Sequence, residues 1–267
     1  MKAFVIYFSA AITMLLLCLG SLRFHPYYHL AKKQMLLRGE TIEVSNDTLK
    51  IAFIGDSWAA YHHDYDLELD SMLNALGQHV RVLSIGNVGA KSKEIYQRMY
   101  STTKPVLLEQ PNYCIISAGI NDAVAKLGKD YYVHHYMLIL QQLLELNIKP
   151  VVLEMPEVNY RAIAGREPWT MRARHVLSSI ITGAELYGFE SYKTALVEAI
   201  NKAELQNSII YISADSWNPD GYRDSIGLYL SDETHLNARG YEVLDSCIAS
   251  EITKDILKNN KNSYICQ

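Results

Sequence analysis

Residues 51–57 read Ile-Ala-Phe-Ile-Gly-Asp-Ser, a short apolar run that leads into Gly55, Asp56 and Ser57. An apolar run of this length that ends in turn-forming residues predicts a strand buried in a parallel sheet. Ligands of open α/β sheets bind outside the carboxyl ends of the strands, so Ser57 stands where a nucleophile is expected. Gly-Asp-Ser alone is more often an ordinary turn and needs support from elsewhere in the chain.

A downstream segment supplies the base that a serine nucleophile lacks. Asp232 and His235 lie in the run Asp-Glu-Thr-His. An imidazole can take the proton of Ser57 while the carboxylate fixes its tautomer and stabilises the imidazolium. Taken singly, Asp232 also fits a loop acid and His235 a helix cap.

Two more segments follow apolar runs that resemble strands. Residues 119–122 read Gly-Ile-Asn-Asp after the run 113–118, so Asn121 can point its amide into the same cleft. Residues 85–89 read Ile-Gly-Asn-Val-Gly after the run 80–85. Their glycines allow backbone N–H groups to approach a ligand closely.

These blocks resemble, in sequence and in order, those of the SGNH/GDSL hydrolase family, over roughly residues 50–250. The resemblance implies Ser57 as nucleophile, with Asp232 and His235 completing a catalytic triad. It also implies an oxyanion hole formed by the N–H groups of Ser57 and Gly89 and the side chain of Asn121.

The glycine block departs from the family pattern in one place. Family members often carry Asn early in this block, where the chain has Ser84. Either Gly86 or Gly89 can be aligned with the family's glycine donor, and we favour Gly89.

Apolar runs predict five strands that alternate with helices, which favours an α/β, three-layer α/β/α sandwich with a parallel five-stranded sheet. The family resemblance implies the flavodoxin-like strand order 2-1-3-4-5. The strands are predicted at residues 50–54, 80–85, 113–118, 150–155 and 208–212, and helices at 131–146, 168–182, 191–204 and 238–257, the last with Asn237 as its N-cap.

The length of 267 residues suits one hydrolase domain, predicted at 49–258, with a C-terminal tail at 259–267. The net charge is −4, from 25 basic and 29 acidic residues, so no broad basic field exists to hold nucleic acid. The sequence leaves the oligomeric state open.

No metal site or cofactor is predicted. The four cysteines show no spacing typical of metal ligands or of a disulfide framework. The pairs His62-His63 and His134-His135 are interpreted as solvent-facing helix residues.

The first 22 residues predict a signal anchor or signal peptide. Residues 3–22 are uncharged and mostly apolar, about 30 Å as a helix, which is enough to cross a bilayer. We favour an uncleaved membrane anchor followed by a juxtamembrane stalk over residues 23–48. The basic residues of that stalk would place the catalytic part inside, whereas surface enzymes with one anchor often face outward, and we expect an extracytoplasmic domain.

The connection over residues 157–206 concentrates arginine and aromatic side chains. Arg161, Arg166 and Trp169 lie in it, and Trp58 and Trp217 are expected across the cleft. Flat rings beside fixed donors suit a sugar, so these five residues are predicted to bind substrate, although each also fits plain packing.

The sequence therefore predicts a serine esterase that removes a short acyl group, O-acetyl above all, from a small-molecule or polysaccharide ester through an acyl-serine intermediate. A lipase or lysophospholipase, a thioesterase and an O-acyltransferase are the alternatives within the same chemistry. A noncatalytic binding protein is the least supported hypothesis, because the catalytic triad is intact.

Overall fold

The structure is a computed structural model that describes residues 2–23, 48–77, 79–223 and 226–265. Side chains are described over residues 6–16, 48–77, 79–223 and 226–258. The stalk predicted over 23–48 lies outside the described residues except at its two ends.

Five parallel strands form one sheet in the order β2-β1-β3-β4-β5, as predicted. At the carboxyl end of β1, Gly55 is paired with Gly86 of β2 and with Ser117 of β3. The blocks that follow these three strands therefore meet at one edge of the sheet. The strands are β1 (Leu49–Gly55), β2 (Val80–Gly86), β3 (Tyr113–Ser117), β4 (Lys149–Leu153) and β5 (Ile210–Ile212).

Helices connect the strands and cover both faces of the sheet. In chain order they are α1 (Lys2–Arg23), α2 (Ser57–His62), α3 (Asp66–Ala75), α4 (Ser92–Arg98), α5 (Lys104–Leu108), α6 (Ile120–Val124), α7 (Lys129–Glu145), α8 (Tyr160–Arg166), α9 (Trp169–Thr182), α10 (Glu190–Lys202) and α11 (Ala238–Ile265). Short 3-10 turns occupy His63–Tyr65, Ala214–Ser216 and Gly221–Arg223.

The central strands are buried on both faces because helices lie on each side. Every residue of β3 is buried. On one side α3 packs against α11, and on the other α7 packs against α4 and α10. This is the predicted three-layer arrangement, and the near-continuous apolar runs of the sequence reflect it.

The predicted N-cap of the last helix is confirmed. Asn237 Oδ1 accepts a hydrogen bond of 3.0 Å from the backbone N–H of Gly240, in the first turn of α11. The helix continues to Ile265, so the tail predicted from residue 259 is helical over most of its length.

The N-terminal segment forms α1, whose side chains are described only over residues 6–16. Among the residues that the structure describes, no helix is long and apolar enough to cross a membrane. The predicted anchor stays a prediction.

The interpretation of His62 and His135 as solvent-facing is wrong, because both are fully buried. His135 Nδ1 donates to the carbonyl of Tyr131 over 2.7 Å, and burial lowers the pKa of this histidine to about 4. Periodicity alone did not reveal which face of each helix these side chains occupy.

His62 belongs to a buried charged cluster that joins three helices and a strand. Its Nε2 lies 2.8 Å from Asp245 Oδ1 of α11, and its Nδ1 lies 3.0 Å from Asp66 Oδ1 of α3 and 2.8 Å from Ser84 Oγ of β2. Burial alone would lower the pKa of His62, but the bonds to Asp245 and Asp66 outweigh it and raise the pKa to about 9. His62 is therefore an imidazolium between two acids at neutral pH.

Candidate active site

Ser57 lies at the junction of β1 and α2. Asp56 caps the helix, because its Oδ1 accepts from the backbone N–H of Trp58 over 3.1 Å. As the first residue of α2, Ser57 has no acceptor for its own N–H within the helix. The side chain of Ser57 is mostly buried, at 6% exposed.

The structure brings Ser57, His235 and Asp232 into one hydrogen-bonded chain. His235 Nε2 lies 2.9 Å from Ser57 Oγ, and His235 Nδ1 lies 2.5 Å from Asp232 Oδ2. With Nδ1–H donating to the carboxylate, the lone pair of Nε2 faces the serine hydroxyl. This arrangement can take the proton of Ser57 and hold it on the imidazole.

Asp232 is prepared to stay ionised. Burial alone would raise its pKa, but the backbone and side-chain bonds from His235 and the backbone N–H of Thr234 outweigh it and lower the pKa. Both backbone N–H groups reach Oδ1 over 3.0 Å. The carboxylate of Asp232 is therefore negatively charged and can stabilise an imidazolium at His235.

Two side chains hold the loop that carries Asp232 and His235. Trp58 Nε1 donates to the carbonyl of Thr234 over 3.2 Å. Arg166 of α8 donates to the carbonyl of Asp232 over 3.1 Å and to Thr234 Oγ1 over 3.2 Å. Arg166, predicted as a substrate contact, thus acts as a support of the catalytic loop in this structure.

The geometry favours Gly89 over Gly86 as an oxyanion donor. A Cβ on Gly86 would lie 2.1 Å from the backbone N of Ala60, so Gly86 is the place where β2 meets α2. Gly89 is exposed, has φ +78 and has open space where a side chain would be. Across the described ranges, no hydrogen-bond acceptor within the chain meets the N–H of Ser57 or Gly89.

Asn121 lies at the same edge, in the first turn of α6. Its Nδ2 donates to the carbonyl of Ala90 over 3.1 Å and lies 3.4 Å from Asp56 Oδ2. The first bond fixes the amide, while the second is long and therefore weak. Donation to a substrate oxygen requires this second N–H to turn away from Asp56.

A family model covers most of the chain. The model of the GDSL-like lipase/acylhydrolase family matches residues 53–243. The chain belongs to this family. None of the curated proteins matches the sequence.

Solved structures with the same fold include other members and esterases. The lipase/acylhydrolase from Enterococcus faecalis is 20% identical, with a TM-score of 0.56 over 78% of this chain and 96% of that one. The psychrotrophic esterase EstA from Pseudoalteromonas sp. is 15% identical, with a TM-score of 0.54 over 78% and 98%. An acetyl xylan esterase, AlAXEase, is 17% identical, with a TM-score of 0.52 over 78% and 100%. At these identities the likeness establishes the fold.

Two predicted substrate contacts of this acylhydrolase are buried. Trp58 is 3% and Trp217 is 8% exposed, and their rings meet edge to face with centroids 6.0 Å apart. Neither ring offers a free face for stacking on a sugar, and contact of either ring with an acyl group stays a prediction. Trp169 is 72% exposed and Arg161 stacks over Tyr187 at 5.5 Å, and a role for these two in binding stays a prediction.

Two buried acids beside the site were missed from the sequence. Burial raises the pKa of Asp56 to about 7 and that of Asp122 to about 6. Asp122 accepts from the N–H and hydroxyl of Ser92, over 2.9 and 2.6 Å, and so ties α6 to α4. Asp56 lies between Gly55 and Ser57, and Asp122 follows Asn121, so both acids were visible in the sequence. The hydrogen-bond partners of their carboxylates were not.

Within the described ranges, no group of three His, Cys, Asp or Glu side chains is placed to hold a metal ion.

Proposed function

We propose that the protein is a serine esterase that removes short acyl groups, O-acetyl above all, from a carbohydrate. The observation that carries this proposal is the chain of contacts from Ser57 Oγ to His235 and on to Asp232, at 2.9 and 2.5 Å. Membership of an acylhydrolase family supports ester hydrolysis.

In the proposed mechanism Ser57 Oγ attacks the acyl carbon and His235 takes the serine proton. The negative charge that develops on the acyl oxygen is met by the N–H groups of Ser57 and Gly89 and by Asn121. As the ester bond breaks, His235 gives its proton to the leaving alcohol. Water then attacks the acyl-serine, His235 takes its proton, and the acid leaves as Ser57 regains the proton.

A small cavity next to the residues that flank Ser57 supports a short acyl group. It has a volume of about 10 Å³, and Asp56 and Trp58 line it, whereas Ser57 and His235 do not. Since roughly 10–15 Å³ holds a single water, an acyl chain that enters this cavity must be about the size of a methyl group. The name of the similar acetyl xylan esterase agrees with a short acyl group on a sugar.

An exposed apolar surface favours a second candidate, a lipid ester. Trp169, Leu177 and Ile180 of α9 are 72%, 49% and 73% exposed. Apolar side chains on the surface of a helix are typical of contact with an apolar partner, such as a lipid. A lipase or lysophospholipase would use the same triad with this surface near its substrate.

The chain-length dependence of hydrolysis distinguishes the two. We expect kcat/KM to show no gain beyond acetyl or propionyl among p-nitrophenyl esters, and an acetylated oligosaccharide to be hydrolysed. Each methylene that enters a good apolar pocket contributes about 0.8 kcal/mol, so a lipid site would gain several-fold per carbon. The measurement is kcat/KM for the acetate, butyrate and octanoate esters; a steady rise to octanoate, with the oligosaccharide inert, would establish the lipid candidate instead.

We also propose that residues 1–22 anchor the domain to a membrane with its active site on the extracytoplasmic side. The absence of charge between residues 3 and 22 supports an anchor.

A further inference from the structure

A second cavity lies outside the catalytic triad, between the end of α6 and helices α8 and α9. It has a volume of about 60 Å³, and the lining residues with a polar group are Lys126, Tyr160, Glu167, Arg172, His175 and Tyr187. Since roughly 10–15 Å³ holds one water, this space admits a compact chemical group and excludes a sugar ring. We call it the α8–α9 cavity.

Lys126 is a buried cation in this cavity, only 4% exposed. Within the described part of the chain its ammonium has no ion pair or hydrogen bond, and its one contact is with the ring of Tyr160, 5.4 Å from the centroid. A cation–π contact offsets only a part of the cost of removing an ammonium from water. Lys126 therefore has no hydrogen-bonded or ion-paired partner, and only the longer-range attraction of Glu185 and Glu167 acts on its charge.

Tyr160 lacks an acceptor as well. It is 6% exposed, and its hydroxyl is buried without a hydrogen-bond partner among the described residues. Buried hydroxyls in folded proteins are nearly always hydrogen-bonded, because leaving one unpaired is costly. The ammonium of Lys126 and the hydroxyl of Tyr160 line the same cavity, and neither donates to an acceptor. A ligand with acceptor oxygens would satisfy both donors.

The charges around the cavity favour an anion. Its one acidic lining residue, Glu167, has Oε2 3.0 Å from His175 Nδ1 and also attracts Lys126. Glu185, which does not line the cavity, attracts Lys126 as well, and its Oε1 accepts from the N–H of Ser191. Arg172 is exposed to solvent, lines the cavity and forms no ion pair within the described ranges, so the lining carries the two cations Lys126 and Arg172 against the one acid Glu167.

We propose that the α8–α9 cavity binds a compact oxyanion, a carboxylate or phosphate group, through Lys126, Tyr160 and Arg172. The cavity shares α8 with the catalytic loop, because Arg166 of that helix holds the loop while its neighbour Glu167 lines the cavity. The oxyanion is either an acidic group of the substrate or a free anion.

Binding of inorganic phosphate, sulfate and acetate to the full-length protein tests the site independently of its enzymatic activity. The Tm is measured against anion concentration, with chloride keeping the ionic strength constant, and affinity is measured by calorimetry. We expect a saturable rise in Tm with phosphate or acetate. Lys126→Met should weaken the affinity at least tenfold, and Lys129→Met, which changes a nearby exposed lysine, should leave it unchanged.

Tyr160→Phe is a second variant that keeps the ring and removes only the unpaired hydroxyl. We expect it to fold with an unaltered or higher Tm without anion, and to bind phosphate several-fold more weakly. No saturable binding by the wild-type protein, or unchanged affinity in both Lys126→Met and Tyr160→Phe, would overturn the proposal.

The pH dependence of binding provides a further check. Burial lowers the pKa of Lys126 to about 8. The affinity for phosphate should therefore fall above that pH, by up to tenfold per pH unit. Affinity that is constant between pH 7 and 10 would contradict a role for the ammonium.

Kinetics identify the source of the oxyanion. If the substrate carries it, phosphate should raise KM for an acidic acetylated oligosaccharide and leave p-nitrophenyl acetate unaffected. If a free anion is the ligand, phosphate should bind without competing with either substrate. Both results support the site, and they assign its ligand.

Discussion

Ser57 and His235 are in hydrogen-bond contact before any substrate is present, so the loss of either should be severe. We expect Ser57→Ala to lower turnover of p-nitrophenyl acetate by at least about 10⁴-fold with the fold intact. His235→Ala should be as damaging, and Asp232→Ala milder, because the orienting acid contributes least alone.

The control is Ser101→Ala, which changes an exposed serine outside the site. Turnover that survives in Ser57→Ala at equal Tm would exclude the proposed nucleophile.

Asn121 is expected to act in the transition state rather than in substrate binding. Asn121→Ala should lower kcat by about 10²–10³ with little change in KM, the cost of losing one oxyanion donor. Asn207→Ala, at an exposed asparagine, is the matched control. A change confined to KM would mean that Asn121 only holds the ground state.

At the scale of single residues, the sequence predicted which side chains come together in the candidate site. It did not predict many of the side chains that pack around them. Ser57 and Asn121 follow strand ends and His235 precedes a helix cap, and such positions are visible in a linear sequence. The burial of Trp58 was not visible, because it depends on Trp217 and Thr234, which lie far along the chain.

At the scale of helices and strands, the cluster around His62 clamps α2, which begins at Ser57, to α11, which begins just after His235. Since the folded pKa of His62 is raised to about 9, its stabilising contribution is complete below the unfolded value of 6.5 and is lost as pH rises through 9. The shift corresponds to about 3 kcal/mol. We expect the free energy of unfolding to fall between pH 6.5 and 9, as measured by urea denaturation.

The variant for this test must not leave the fully buried Asp245 as an acid without its cation, since an unpaired buried charge costs several kcal/mol. His62→Gln combined with Asp245→Asn removes the cation and this partner, while Asp66 keeps its bond of 2.9 Å from the N–H of Ser84, and should flatten the pH dependence. His79→Gln changes an exposed histidine and serves as the control. An unchanged slope in the double variant would assign the pH dependence to other groups.

The strands were predictable because each is an apolar run between turn residues, and the observed bounds differ from the predicted ones by two residues or fewer. The helices α7, α9 and α10 were predicted within similar limits. For the short helix α2 a helix after Gly55-Asp56 was expected but no bounds were predicted, because six residues with a buried histidine carry no clear apolar period.

At the scale of the whole molecule, the proposed anchor and the catalytic domain should be separable. Deleting residues 1–22 should move the protein from the membrane fraction to the soluble fraction with kcat/KM for p-nitrophenyl acetate retained, because the triad lies entirely downstream. Fractionation followed by the activity assay measures both. Loss of folding on truncation would show that the segment is part of the domain.

The sheet order could be inferred for the whole molecule only through the family resemblance. Apolar runs identify strands but not their neighbours, and many orders bury the same residues. The α8–α9 cavity could not be predicted from the sequence either. It depends on how two helices of the connection over residues 157–206 pack against the end of α6.

The contact between Ser57 Oγ and His235 Nε2 joins residues 178 positions apart, which has a consequence for the timing of biosynthesis. At about 5–20 residues per second, a ribosome needs roughly 10–40 s to proceed from one to the other. Throughout that interval the growing chain carries a serine without its base. A chain that has not yet reached residue 235 therefore lacks the general base, and the proposed catalytic triad can form only after that residue has been synthesised.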